Sequence, residues 1–69
     1  MLTPRETEVM KLCVKGMTAR EVGDALSISS RTVEVHKRNI MKKFGVSNTL
    51  KAIRAFEDWL VRKAMRKNP

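Results

Sequence analysis

Apolar residues recur along this chain at helical spacing, never at the alternation of a strand. Val9, Leu12, Cys13 and Met17 make a first stripe. Leu2-Thr3-Pro4 precedes it as a helix entry: Thr3 caps, Pro4 suits the first helical position, and Glu6 stands three residues after Thr3 as a capping box requires. Gly16 marks its end. A second, short helix runs from a Thr18 cap, with Glu21 as its box partner, to about Leu26, turning Val22 and Leu26 inward. Gly23 inside it costs about 1 kcal/mol against Ala, which makes sense if the next helix crosses close to the backbone there. Ser27-Ile28-Ser29 is the turn, and Ser29 or Ser30 caps the third helix. Wound at about 3.6 residues per turn, that helix carries Val33, Ile40 and Phe44 on one face and Arg31, Glu34, Val35, Arg38 and Lys42 on the other. Gly45 ends it, and Ser47 or Asn48 caps a fourth helix in which Leu50, Ile53, Phe56, Trp59 and Leu60 repeat.

The expected fold is therefore all-α, a four-helix domain over residues 1–69 with helices at about 4–15, 19–26, 30–44 and 48–65. The order apolar Val22, small Gly23, apolar Leu26, apolar Ile28 in the turn and apolar Val33 is that of a helix-turn-helix. It sits centrally, with no strands after it to form a wing.

With Ala52, Val61 and Ala64 added, the apolar arc of the fourth helix covers about half its circumference, more than a small surface helix needs. One edge belongs on the core. Leu50, Trp59, Leu60 and Val61 are then candidates for contact with a second copy of the chain, a symmetric dimer being the simplest arrangement. The competing reading assigns every one of them to the core.

Sixty-nine residues make one small core, near the lower limit of what folds without metal or disulfide. The single cysteine, Cys13, excludes an internal disulfide and fits an intracellular setting. Its place in the first stripe makes it a core residue rather than a nucleophile. No apolar run reaches membrane-spanning length and no signal-peptide plan is present, so cytoplasm or nucleoid is the expected location. No second ligand accompanies His36 and no triad or phosphate loop is found, so neither metal, cofactor nor enzymatic activity is expected.

Charge changes the picture more. The net value is +8, yet residues 1–30 are neutral: Arg5, Lys11, Lys15 and Arg20 balance Glu6, Glu8, Glu21 and Asp24. Eleven Lys and Arg against three acids occupy residues 31–69. A basic half joined to a neutral half is the footprint of a polyanion partner, and the third helix fits double-stranded DNA. Arg31, Lys37, Lys42 and Lys43 on its flanks suit phosphates, with Thr32 and Asn39 adding neutral bonds. Towards the groove floor, Arg38 can bond guanine bidentately, Glu34 can accept from cytosine and Val35 can meet a thymine methyl. An internal pair of Glu34 with Arg31 or Arg38 is the alternative use of that carboxylate. His36 falls between the core face and a flank. Arg62, Lys63, Arg66 and Lys67 near the end suit a helix C-terminus, where cations meet the favourable end of the dipole.

The segment LTPRETEVMKLCVKGMTAREVGDALSISSRTVEVHKRNIMKKFGVSN resembles the LuxR/FixJ-type DNA-binding domain of bacterial transcription regulators. The likeness rests on the LTPRE opening, the Gly-x-Thr-x-x-Glu-Val entry, the Leu-x-Ile-Ser turn, Thr-Val-x-Val-His and the closing Asn-Ile-x-x-Lys-x-Gly-Val. It implies a fourth helix that pairs two protomers on pseudo-palindromic DNA, Glu34, Val35 and Arg38 at base-contacting positions, and Arg31, Thr32, His36, Lys37 and Lys42 near the backbone. Many members have Lys where Glu34 stands, which implies a different site preference. The resemblance also implies a stand-alone regulator or the output domain of a response regulator, with RNA polymerase as a further partner. Two other readings share the fold: the promoter-binding region of a sigma factor, against which the residues after His36 argue, and a protein-interaction module without DNA, against which the basic face argues.

Overall fold

The computed structural model describes residues 1–66, and these form α1 (Pro4–Val14), α2 (Ala19–Leu26), α3 (Ser30–Phe44) and α4 (Thr49–Arg66) with no strand among them. Lys67, part of the basic ending, lies outside the described residues. Each helix begins where a side chain satisfies amides that have no partner inside the helix. Thr3 Oγ1 accepts from the Glu6 amide at 3.1 Å while Glu6 Oε1 accepts from the Thr3 amide at 2.9 Å. Thr18 and Glu21 repeat the arrangement at 3.2 and 2.8 Å. Ser29, rather than Ser30, caps α3, accepting from the Thr32 amide at 3.1 Å. Asn48, rather than Ser47, caps the last helix through Oδ1 and the Lys51 amide at 2.8 Å, so α4 starts one residue later than expected.

The helix ends are as local. The amides of Lys15 and Gly16 turn back to the carbonyls of Leu12 and Cys13 at 3.1 and 2.9 Å, closing α1 at Val14 instead of residue 15. Gly45 adopts φ +68°, and the Val46 amide reaches the Met41 carbonyl at 3.0 Å, so α3 ends in a left-handed turn that suits glycine. Ser27, which closes α2, also has positive φ, at +59°, and is the one non-glycine residue that does among those described. Nothing in the sequence marked it.

The core takes residues from all four helices: Val9, Met10 and Cys13 of α1, Val22 of α2, Val33 and Ile40 of α3, and Ala52 and Phe56 of α4. Met10, 1 % exposed, is a member the sequence reading passed over. Burying a side chain the size of Phe56 contributes roughly 1.5–3 kcal/mol. Leu26 and Ile28 pack half-buried around this cluster, and Ile28 closes the corner between α2 and α3.

Gly23 explains how tight that corner is. A Cβ there would stand 2.6 Å from the Ile28 carbonyl oxygen and 3.3 Å from the Ser29 carbonyl carbon and the Ser30 amide nitrogen. The close approach expected at Gly23 is real: the backbone of the turn makes it at Ile28 and Ser29, and the first residue of α3, Ser30, joins it. The amide of Ile28 completes it, donating to the Gly23 carbonyl at 2.9 Å. No helix among the described residues is long and apolar enough to cross a membrane.

Candidate nucleic-acid interface

α3 is fixed by Val33 and Ile40, which have no solvent exposure, with Phe44 half-buried beside them. That anchoring turns Arg31, Val35, Arg38 and Lys42 outward on the face away from the core, all of them exposed. Val35 is 44 % exposed, an apolar side chain left in water between two arginines. Ser30, Arg31, Glu34, Val35 and Arg38 line one open concavity along the helix. The residues read from sequence as base-facing are thereby brought together.

The remaining positions sit on the shoulders of that face. Thr32 is exposed and held at the helix entry, its Oγ1 2.9 Å from Ser29 Oγ. His36 and Lys37 are half-buried between the free face and the core, while Asn39 is exposed. Glu34 makes an internal pair, but its partner is Lys37 at 3.5 Å, one turn on, rather than Arg31 or Arg38. Among the described residues the guanidinium groups of Arg31 and Arg38 take part in no ion pair.

Lys43 has a different use from the phosphate contact its sequence position implied. Its Nζ turns towards α1, donating to Glu6 Oε1 at 2.7 Å and to the Met1 carbonyl at 3.0 Å. Glu6 is 5 % exposed. Burial by itself raises the pKa of the Glu6 carboxyl, but the hydrogen bond from Lys43, the bonds from Thr3 and the charge of Lys43 outweigh it and hold the carboxyl below its ordinary range. No local pattern pointed to this pair, since 37 positions separate the partners in sequence. Cys13 is 6 % exposed, and burial pushes its thiol up, against the opposing charge of Lys37. It is a core thiol, not an activated one. Among the described residues no group of three or more His, Cys, Asp or Glu is placed to hold a metal ion.

On α4, the four residues considered for a second contact do not share one face. Trp59 and Leu60 are half-buried against the core. The Trp59 ring stacks on Phe56 with centroids 5.8 Å apart, Lys63 Nζ lies 4.9 Å from its centre, and its Nε1 donates to Met1 Sδ at 3.3 Å. Leu50 and Val61, three turns apart, lie on the outer side and are 60 % and 57 % exposed.

Comparison with known proteins places this geometry in a lineage. The family model described as bacterial regulatory proteins, luxR family, matches residues 1–56, which hold α1, α2, all of α3 and the core-forming part of α4. The tetrathionate response regulatory protein TtrR of Salmonella typhimurium is 43 % identical over 56 residues, 81 % of this chain and 27 % of that protein. The transcriptional regulatory protein UhpA of Escherichia coli is 42 % identical over 59 residues, 84 % of this chain and 30 % of its own length. The chain thus spans less than a third of these relatives. The solved structure of the transcription factor GerE superposes with a TM-score of 0.81 at 34 % identity, covering 84 % of this chain and 87 % of that one. In sequence and in fold, the chain belongs to the luxR family of bacterial regulatory proteins.

Proposed function

We propose that this chain binds double-stranded DNA sequence-specifically as the DNA-binding part of a transcription regulator, with α3 lying in the major groove. The observation that carries the reading is the concavity lined by Arg31, Glu34, Val35 and Arg38 on a helix whose opposite face is locked into the core. Arg38 bonds guanine, Val35 meets a thymine methyl, and Glu34 accepts from an exocyclic amine. Arg31, Thr32, His36, Lys37 and Lys42 take phosphates and fix the register of the helix. The Glu34–Lys37 pair does not oppose this: Glu34 is 58 % exposed, and a surface pair of that kind is worth at most about 1 kcal/mol, so it opens readily to a base.

Two copies pair through α4 and read half-sites about one helical turn apart. Leu50 and Val61 supply the outer contact, with Leu60 and Trp59 bracing it from the core side. The relatives include a protein named as a response regulatory protein, which supports an output domain of such a regulator acting in the cytoplasm, on the nucleoid, with RNA polymerase as a further partner.

Binding selection from randomised duplexes tests this, followed by titration of the selected site and a scrambled control at two salt concentrations. A two-fold-related motif bound at least ~10³-fold tighter than the scramble is the expected result. Equal, steeply salt-dependent binding to both duplexes would reduce the basic face to an electrostatic surface. The absence of binding would bring forward a protein-interaction role.

A further inference from the structure

The outer face of α4 has a symmetry of its own. Four of its exposed residues, Leu50, Arg54, Glu57 and Val61, are apolar, cationic, anionic and apolar in turn and stand four, three and four residues apart, with exposed Ala64 continuing the stripe beyond them. Reversed end to end about a point between Ala55 and Phe56, the stripe places Leu50 against Val61 and Arg54 against Glu57. Each position therefore meets its complement in a second copy of the same helix running the other way. In a parallel arrangement about a two-fold axis along the helix, Arg54 would face Arg54 and Glu57 would face Glu57, which is repulsive.

The two charges are available for this. Arg54 and Glu57 are both exposed, and among the described residues neither takes part in an ion pair, although three positions on a helix bring opposite charges within reach. Their neighbours on the flank behave differently: Asp58 and Arg62 pair within the chain at 3.1 Å.

We infer that two copies pair through α4 in one antiparallel register, with Arg54 of each copy facing Glu57 of the other and Leu50 facing Val61. This inference rests on the dimer reading proposed above and adds its orientation, its axis and the pairs that select them. Area alone does not select the register. An 18-residue helix is about 27 Å long and presents one face about 10 Å wide. That is roughly 300 Å² against the ~800 Å² per partner of a standard stable interface. Pairing is accordingly weak in free solution and strengthened when two half-sites hold the copies together, and the two reciprocal ion pairs decide how they meet.

Charge exchange tests it. Arg54→Glu, Glu57→Arg, the double variant Arg54→Glu/Glu57→Arg and an equimolar mixture of the two single variants are compared with the unaltered chain. The measurements are sedimentation equilibrium at millimolar concentration and low salt, and cooperativity on a duplex carrying two selected half-sites. Each single variant opposes like charges in its own dimer and is expected to lose about tenfold in self-association or cooperativity. The double variant and the mixture both restore opposite charges at both positions and are expected to recover it. Circular dichroism confirms that each variant is helical, and the mixture guards against a loss due to folding, since two misfolded chains do not rescue each other. Single variants that pair as well as the unaltered chain, or a mixture no better than its components, would overturn the register alone. An unaltered chain that stays monomeric in both settings would overturn the dimer reading along with it.

Discussion

Lys43 Nζ of α3 lies 2.7 Å from Glu6 Oε1 of α1, and that contact joins the basic third helix to the first cap of the chain. The same carboxylate oxygen accepts from the Thr3 amide at 2.9 Å, so one atom closes the start of α1 and anchors the last turn of α3. Lys43, 38 % exposed at its side chain, brings the charge that allows Glu6 to remain ionised at 6 % exposure. A cation that composition would assign to DNA is thus part of the scaffold.

Replacing Glu6 by Gln is expected to cost about 1–3 kcal/mol at neutral pH, because Lys43 loses its charged partner and the cap weakens. The carboxyl is held below its ordinary value of 4.5, burial opposing and Lys43 and Thr3 prevailing. Its contribution is therefore complete above that value and disappears as pH falls through the lower, folded one. Urea titrations through the acid range should show the unaltered chain losing stability more steeply than Glu6→Gln below about pH 4.5. Parallel profiles would remove Glu6 from the acid sensitivity of the fold.

Gly23→Ala inserts a methyl group 2.6 Å from a backbone oxygen that cannot swing aside as a side-chain tip would. The turn must open, with an expected loss of about 2–3 kcal/mol. The angle between α2 and α3 changes with it, so affinity for the selected duplex falls further than that for DNA of random sequence. A variant with unchanged melting temperature would show that the turn yields more cheaply than the geometry indicates.

Ser27→Gly should act in the opposite sense. The left-handed backbone at φ +59° strains a residue with a Cβ and suits glycine. The serine is exposed, so its removal empties no packed space. A gain of about 0.5–1 kcal/mol is expected from thermal melts, the relief of strain exceeding the added freedom of the unfolded chain. A loss would mean that the hydroxyl holds the turn.

On the proposed reading, substitutions at Arg38 and Lys42 distinguish base reading from phosphate contact. Arg38→Ala is expected to lower affinity for the selected site by about 1–3 kcal/mol and to blur one base position, with little effect on scrambled DNA. Lys42→Ala should weaken both duplexes alike and lower the slope of log affinity against log salt by about 0.9. Equal effects of the two substitutions on both duplexes would reassign Arg38 to the backbone.

Much of this was legible in the residues because it is set within one or two turns of chain. Thr3 with Glu6, Thr18 with Glu21, and Gly45 each fix a helix end by bonds to near neighbours, and such bonds leave a spacing behind. The free face of α3 could be read for the same reason: once Val33 and Ile40 are inside, helical periodicity dictates that Arg31, Val35, Arg38 and Lys42 are outside. Tertiary packing alone decided the rest. Periodicity could not say which cation would be drawn away from the basic face, because the Lys43–Glu6 contact depends on how α1 lies against α3. Nor could it divide the wide apolar arc of α4, where Trp59 is taken up by Phe56 and Met1 while Leu50 and Val61 stay in solvent. Burial on one helix is determined by where the other three end, and a linear pattern records only the helix's own turn.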